Sequence, residues 1–112
     1  MITRIVKMTF KRESLEEFKL IFERSKEKIR TFEGCTHVEL CNDIEHPNVF
    51  FTYSHWESEE ALNAYRDSTF FKSTWNKTKA LFDTAPEAYS LRTIHSSGPI
   101  AIGQIEQYDR TT

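Results

Sequence analysis

At 112 residues, 38% of them hydrophobic and nine of them Phe, the chain is sized for one domain with a true core that needs neither staples nor metal. Fifteen basic and seventeen acidic residues are interspersed to a net charge of −2, which leaves no basic stripe for nucleic acid and no acidic solvating tail. Apolar runs fall far short of the roughly 20 residues that cross a bilayer, and the alternating start MITRIVKMTF lacks the apolar block of a signal peptide. A cytoplasmic protein with no membrane or nucleic-acid partner is expected.

Residues 2–11 read as a first strand, with Val6, Met8 and Phe10 alternating against Lys7, Thr9 and Lys11. Ser14-Leu15-Glu16-Glu17 has the spacing of a capping box, in which the serine hydroxyl and the Glu17 carboxylate satisfy backbone N–H groups at a helix start. The helix expected over 14–32 carries Leu15, Phe18, Phe22, Ile29 and Phe32 as an apolar stripe, and Gly34 suits the left-handed turn that ends it.

Residues 35–42 form a second strand, with Thr36, Val38 and Leu40 on one face and Cys35, His37, Glu39 and Cys41 on the other. The two cysteines would lie about 20 Å apart along an unbroken strand, whereas a disulfide needs Cα atoms within roughly 7 Å. Reduced thiols are therefore expected, with a bond between two chains left open. Cys35, His37, Glu39 and Cys41 look like a ligand set, but one strand cannot wrap four groups round a tetrahedral ion, so a polar outer face of an edge strand and no metal site are expected.

After a turn over 43–48 comes the stretch NVFFTYSHW. Val49, Phe51, Tyr53 and His55 point one way and Phe50, Thr52, Ser54 and Trp56 the other, so both faces carry large apolar groups. Helices of the same chain can cover one face; the other needs a different cover. Ser58 marks the start of a second helix with Glu59 and Glu60 in its first turn. A break is expected near Asp67-Ser68, then a helical piece over 69–82 and a fourth strand over 88–95 after Pro86. Strand, helix, strand, strand, helix, strand is the α+β ferredoxin-like βαββαβ arrangement, with two helices on one face of a four-stranded antiparallel sheet. Two such sheets packed face to face would bury the bare side, which predicts a homodimer. The domain is expected over 1–95, with 96–112 an extension that lies on the partner subunit or frays.

The run Tyr53-Ser54-His55-Trp56-Glu57-Ser58-Glu59-Glu60-Ala61-Leu62, followed by Tyr65 and Ser68-Thr69-Phe70-Phe71, resembles the antibiotic biosynthesis monooxygenase (ABM) family of dimeric α/β barrels. Gly34-Cys35 and the Asp43–Pro47 turn fit the same pattern. The resemblance implies oxidation of a small aromatic phenol or quinol in a cavity of each subunit, with no bound cofactor. It also brings in haem-degrading members, which pair a first-strand Asn and a second-region His with the strand-three Trp. Here the first strand has no Asn, and Trp75 stands nearest the place of the His. Members with an S-P-H-F pattern carry a His base; Thr69-Phe70 replaces Pro-His here.

Trp56, where strand meets helix, either stacks on an aromatic substrate while its N–H orients an oxygen or closes the strand end as core. Tyr65 and Asn63 are the further candidate catalytic residues, able to hydrogen-bond a substrate carbonyl, with core or surface roles as the alternative. Phe50, Phe51, Phe70, Phe71 and Trp75 read first as core; of these Phe50, Phe70 and Trp75 are candidate substrate contacts. His55 alternates away from Trp56 and reads as structural. Isolated glycines form no phosphate loop, which argues against a tightly bound nucleotide or flavin. The expected function is a cofactor-independent monooxygenase; the alternatives are a ligand-binding or stress-response dimer of the same fold and a haem-handling protein.

Overall fold

The structure is a computed structural model that describes residues 1–98. Its elements follow the order β1 (Ile2–Thr9), α1 (Leu15–Arg30), β2 (Cys35–Asn42), β3 (Val49–Trp56), α2 (Glu59–Arg66), α3 (Thr69–Lys79) and β4 (Glu87–Arg92). The strands form one antiparallel sheet in the order β2-β3-β1-β4. This is the α+β ferredoxin-like arrangement, with all helices on one side. The expected arm over 96–112 falls, beyond residue 98, outside the described residues.

Register sorts the sheet into two faces. Ile2 pairs with Trp56, Arg4 with Ser54, Val6 with Thr52 and Met8 with Phe50, so these residues share the helix-covered face. Thr3, Ile5, Tyr53 and His55 share the other, which no helix among the described residues covers.

Three local expectations are corrected. Ser14 makes no side-chain cap, because Arg12–Ser14 form a tight turn of 3-10 helix in which the Ser14 N–H donates to the Lys11 carbonyl at 2.9 Å. Cys35 does not share a face with His37: a bulge between them sets Cys35 opposite Trp56 and His37 opposite His55. Cys35 is therefore buried against the helices while Cys41 is exposed, and both thiols are free. The first strand also stops short of residue 11. Beyond it Phe10 bridges to Phe82, tying the strand end to the chain leaving α3.

Gly34, at φ +85°, turns the chain from α1 into β2. A side chain there would collide with Ala61 of α2, so glycine is required by space as well as by conformation. Ser58 caps α2 by accepting from the Ala61 N–H at 3.1 Å. Ser68 serves both sides of the break: its hydroxyl donates to the Tyr65 carbonyl at 2.6 Å and accepts from the Phe71 N–H at 3.1 Å. That junction redirects the chain so that Tyr65 and Phe71 meet edge to face, ring centres 5.0 Å apart.

The core falls into two clusters. Met8, Phe10, Phe18, Phe50 and Leu81 fill one end, and Ile2, Cys35, Trp56 and Leu62 the other. Phe10 is fully buried, stacked on Phe18 at 4.0 Å and edge-on to Phe50 at 6.0 Å.

Candidate functional site

Between these clusters the helices stand off the sheet and leave a cavity of about 240 Å³. Its lining follows the periodicities of the elements around it. From α1 come Phe18, Ile21, Phe22, Ser25 and Ile29, and from α3 Phe71, Thr74, Trp75 and Thr78, both at helical spacing. Leu62, Tyr65 and Arg66 project from α2. The floor is made by alternate residues Arg4, Val6 and Met8 of β1, Thr52 and Ser54 of β3, Val38 of β2 and Ala88 of β4. Ala88 and Arg66 are exposed members of this lining, so the mouth lies toward the β4 edge.

Thr52 and Ser54 explain why there is space here. On the inward face of β3 the large Phe50 and Trp56 stand at the two ends, and the two small residues between them leave the middle empty. The Ser25 and Thr78 hydroxyls donate back to carbonyls of their own helices, to Ile21 at 2.7 Å and Thr74 at 2.8 Å, and so are spoken for. Ser54 accepts from the Trp56 indole N–H at 2.9 Å.

Tyr65 is different. Its ring is held between Trp56, stacked at 5.0 Å, and Phe32 and Phe71, each edge-on at 5.0 Å, yet its hydroxyl has no hydrogen-bond partner among the described residues. Burial, and secondarily the Cys35 thiol, raise its pKa well above the usual phenol value, so it stays protonated. Tyr65 therefore brings a protonated phenol to the cavity lining. Trp75, stacked on Phe71 with rings 11° from parallel, supplies a flat wall. No carboxylate or imidazole lines the cavity among the described residues.

The sequence profile described as antibiotic biosynthesis monooxygenase matches residues 1–77. The chain belongs to the antibiotic biosynthesis monooxygenase family. Solved structures repeat the fold. A conserved protein from Methanosarcina mazei Go1 is 24% identical with a TM-score of 0.78, over 82% of this chain and 92% of that one. A protein described as an antibiotic biosynthesis monooxygenase is 18% identical with a TM-score of 0.80, over 85% and 100%. Rv0793 from Mycobacterium tuberculosis is 12% identical with a TM-score of 0.80, over 87% and 98%. No curated protein matches the chain.

Within this ABM fold the six residues singled out from sequence occupy distinct places. Tyr65 and Trp75 line the cavity. Trp56 is fully buried behind it, backing Tyr65 and anchoring Ser54. Phe50 is buried in the first cluster and Phe70 packs on Phe32, both outside the lining, and Asn63 is exposed on α2, also outside it. An inward-reaching amide at Asn63 does not agree with that position: it follows the buried Leu62 by one residue, about 100° round the helix.

Sequence reasoning passed over Arg4 and Arg66, the two charged residues of the lining. Both were findable. Arg4 occupies the alternation slot of Val6 and Met8, where a charge is out of place, and Arg66 stands four residues after Leu62 on the same helix face. Among the described residues no cluster of three or more His, Cys, Asp or Glu is arranged to hold a metal, and no helix is long and apolar enough to cross a membrane.

Proposed function

We propose that the protein is a homodimeric monooxygenase that oxidises a small phenol- or quinol-type ring inside this cavity. The carrying observation is Tyr65, a protonated hydroxyl without a partner, set in an aromatic-walled hollow beside Trp75. In the reaction one oxygen atom of dioxygen enters the ring and the other leaves as water; dioxygen takes up four electrons, all from the substrate, so a hydroquinone leaves as a hydroxyquinone. The ionised hydroxyl of the substrate is the electron-rich form that reacts. Tyr65 donates a hydrogen bond to the substrate oxygen and orients the ring, and the apolar walls keep water from the reacting carbon. With no carboxylate or imidazole in the lining, the proton of the substrate passes to water at the mouth, and the positive field of Arg4 and Arg66 favours the resulting anion.

The homodimer reading is supported by the sheet face that no helix covers among the described residues. Ile5, Phe51 and Tyr53 stand there with Tyr89 and Leu91, the last two about half exposed, and a second copy packed on it removes this surface from water. The free thiols Cys35 and Cys41 suit a reducing cytoplasm.

Oxygen uptake with a panel of hydroquinones and substituted phenols tests the activity. Protein-dependent uptake, reduced at least tenfold in Tyr65→Phe, is expected, in line with the loss of a positioned donor. Uptake indifferent to added protein overturns it. The lack of a base in the lining favours a second reading, a dimer that holds an aromatic ligand without turning it over; saturable quenching of Trp75 with no product chooses that one.

A further inference from the structure

Arg4 and Arg66 reach the cavity from different elements, and no acidic side chain answers them there. Arg4 is half-buried on the inward face of a central strand, where its Nη1 donates to the Ser90 hydroxyl at 2.8 Å. That neutral acceptor occupies one donor and cancels no charge. The ion pairs among the described residues lie elsewhere, at Lys7–Glu87, Arg92–Glu59, along α1 and, where the histidine is protonated, at His37–Glu39 and His46–Asp43. Burial and then the neighbouring Arg66 charge both lower the Arg4 pKa, as expected when two cations face one space without an anion between them.

A partly desolvated, unpaired cation is costly to a folded chain, and the cost is relieved when an anion enters. Guanidinium forks match a carboxylate in two parallel hydrogen bonds. A phosphate dianion fits less well, because the negative end of α2 at Arg66 opposes a double charge more than the single charge of a carboxylate. The size also suits a small ligand: about 150 Å³ of apolar cavity accepts a benzene, so about 240 Å³ holds one ring with its substituents.

We infer that the ligand of this cavity is an ionised single-ring aromatic carboxylic acid, its carboxylate held at the mouth by Arg4 and Arg66 and its ring lying against Phe71 and Trp75. The inference rests on the cavity being the substrate site, and narrows the substrate to a phenol or quinol that carries an acid group.

Calorimetric titration of the full chain at pH 7 and low salt with 2,5-dihydroxybenzoate, 2,5-dihydroxybenzamide, hydroquinone and phenyl phosphate reads this directly. The acid is expected to bind about tenfold or more tighter than the amide, with the preference shrinking as salt is raised. Arg66→Met should bring acid and amide within about twofold of each other. Far-UV dichroism and a thermal midpoint matching the parent chain show that the variant remains folded, as expected for an exposed residue at a helix end. Arg4→Met should act in the same direction. Equal affinity for acid and amide, a preference that survives Arg66→Met, phenyl phosphate binding as tightly as the acid, or no binding of any of the four overturns the inference. Oxygen uptake is followed separately. Selective acid binding without uptake leaves the inference standing and removes the monooxygenase reading; uptake with hydroquinone and no preference for the acid does the reverse.

Discussion

The two faces of β3 carry comparable aromatic weight and have opposite fates. Inward, Phe50 and Trp56 are buried at the ends while Thr52 and Ser54 open a hollow between them. Outward, Val49, Phe51 and Tyr53 stand on a face that no helix among the described residues covers, with a hollow between Tyr53, His55 and the chain leaving β4. The difference lies in where side-chain volume is missing. On the proposed reading the outward face joins two copies, and the gap in the middle of the inward face makes the site.

The largest expected effect sharpens the contrast within the inward face. Phe10→Ala removes a ring packed among Phe18, Phe50 and Phe82 and should lower unfolding free energy by about 3–5 kcal/mol. Trp75→Ala enlarges a space that is already open at its mouth, so urea denaturation should show no more than about half that loss. Equal losses would mean that the hollow is part of the core.

On the outward face, Phe51→Asp places a charge where the partner sheet is proposed to pack. Sedimentation should then give a single subunit at micromolar concentration with unchanged far-UV dichroism, while the parent chain sediments as a dimer. A dimer that survives Phe51→Asp would locate the contact elsewhere.

A smaller effect concerns His55 on the same face. It is 1% exposed, its Nε2 has no partner, and it neighbours Thr3, Tyr53 and His37, with Glu39 beyond. Burial first, and the His37 charge second, pull its pKa below the usual 6.5, against a weaker opposing pull from Glu39. The unfolded chain therefore takes up this proton at higher pH than the folded one. Stability from His55 is full above about pH 6.5 and is lost as pH falls toward the depressed folded value. His55→Gln should flatten that acid slope in denaturation curves collected between about pH 7 and 5; an unchanged slope would assign the acid sensitivity to another group.

Element order was legible from alternation, from Ser58 and Ser68 as caps and from Gly34 as a turn, because each leaves a local mark. The bulge after Cys35 was not, since an extra residue in a strand is set by pairing with β3 rather than by any composition near it. The Ser14 capping box had the right letters, but the tight turn over Arg12–Ser14 bonded that backbone first. For the site, a search for the largest aromatics found Trp56 and Phe50, which back the walls, because large rings fill space. The hollow was written in small residues on inward positions, Thr52, Ser54 and Ala88, and in the misplaced charge of Arg4. Tyr65 and Trp75 stood at the edge of both signals.

Thr74 of α3 faces the hollow at partial exposure and makes no contact with the outward face. Thr74→Trp should fill the cavity while leaving fold and oligomeric state intact, and the measurement is aromatic ligand affinity and oxygen uptake in that variant beside the parent chain. Loss of both, in a protein of unchanged dichroism and sedimentation, is the predicted result. Full affinity and full uptake with the hollow plugged would contradict the assignment of function to the space between the two clusters.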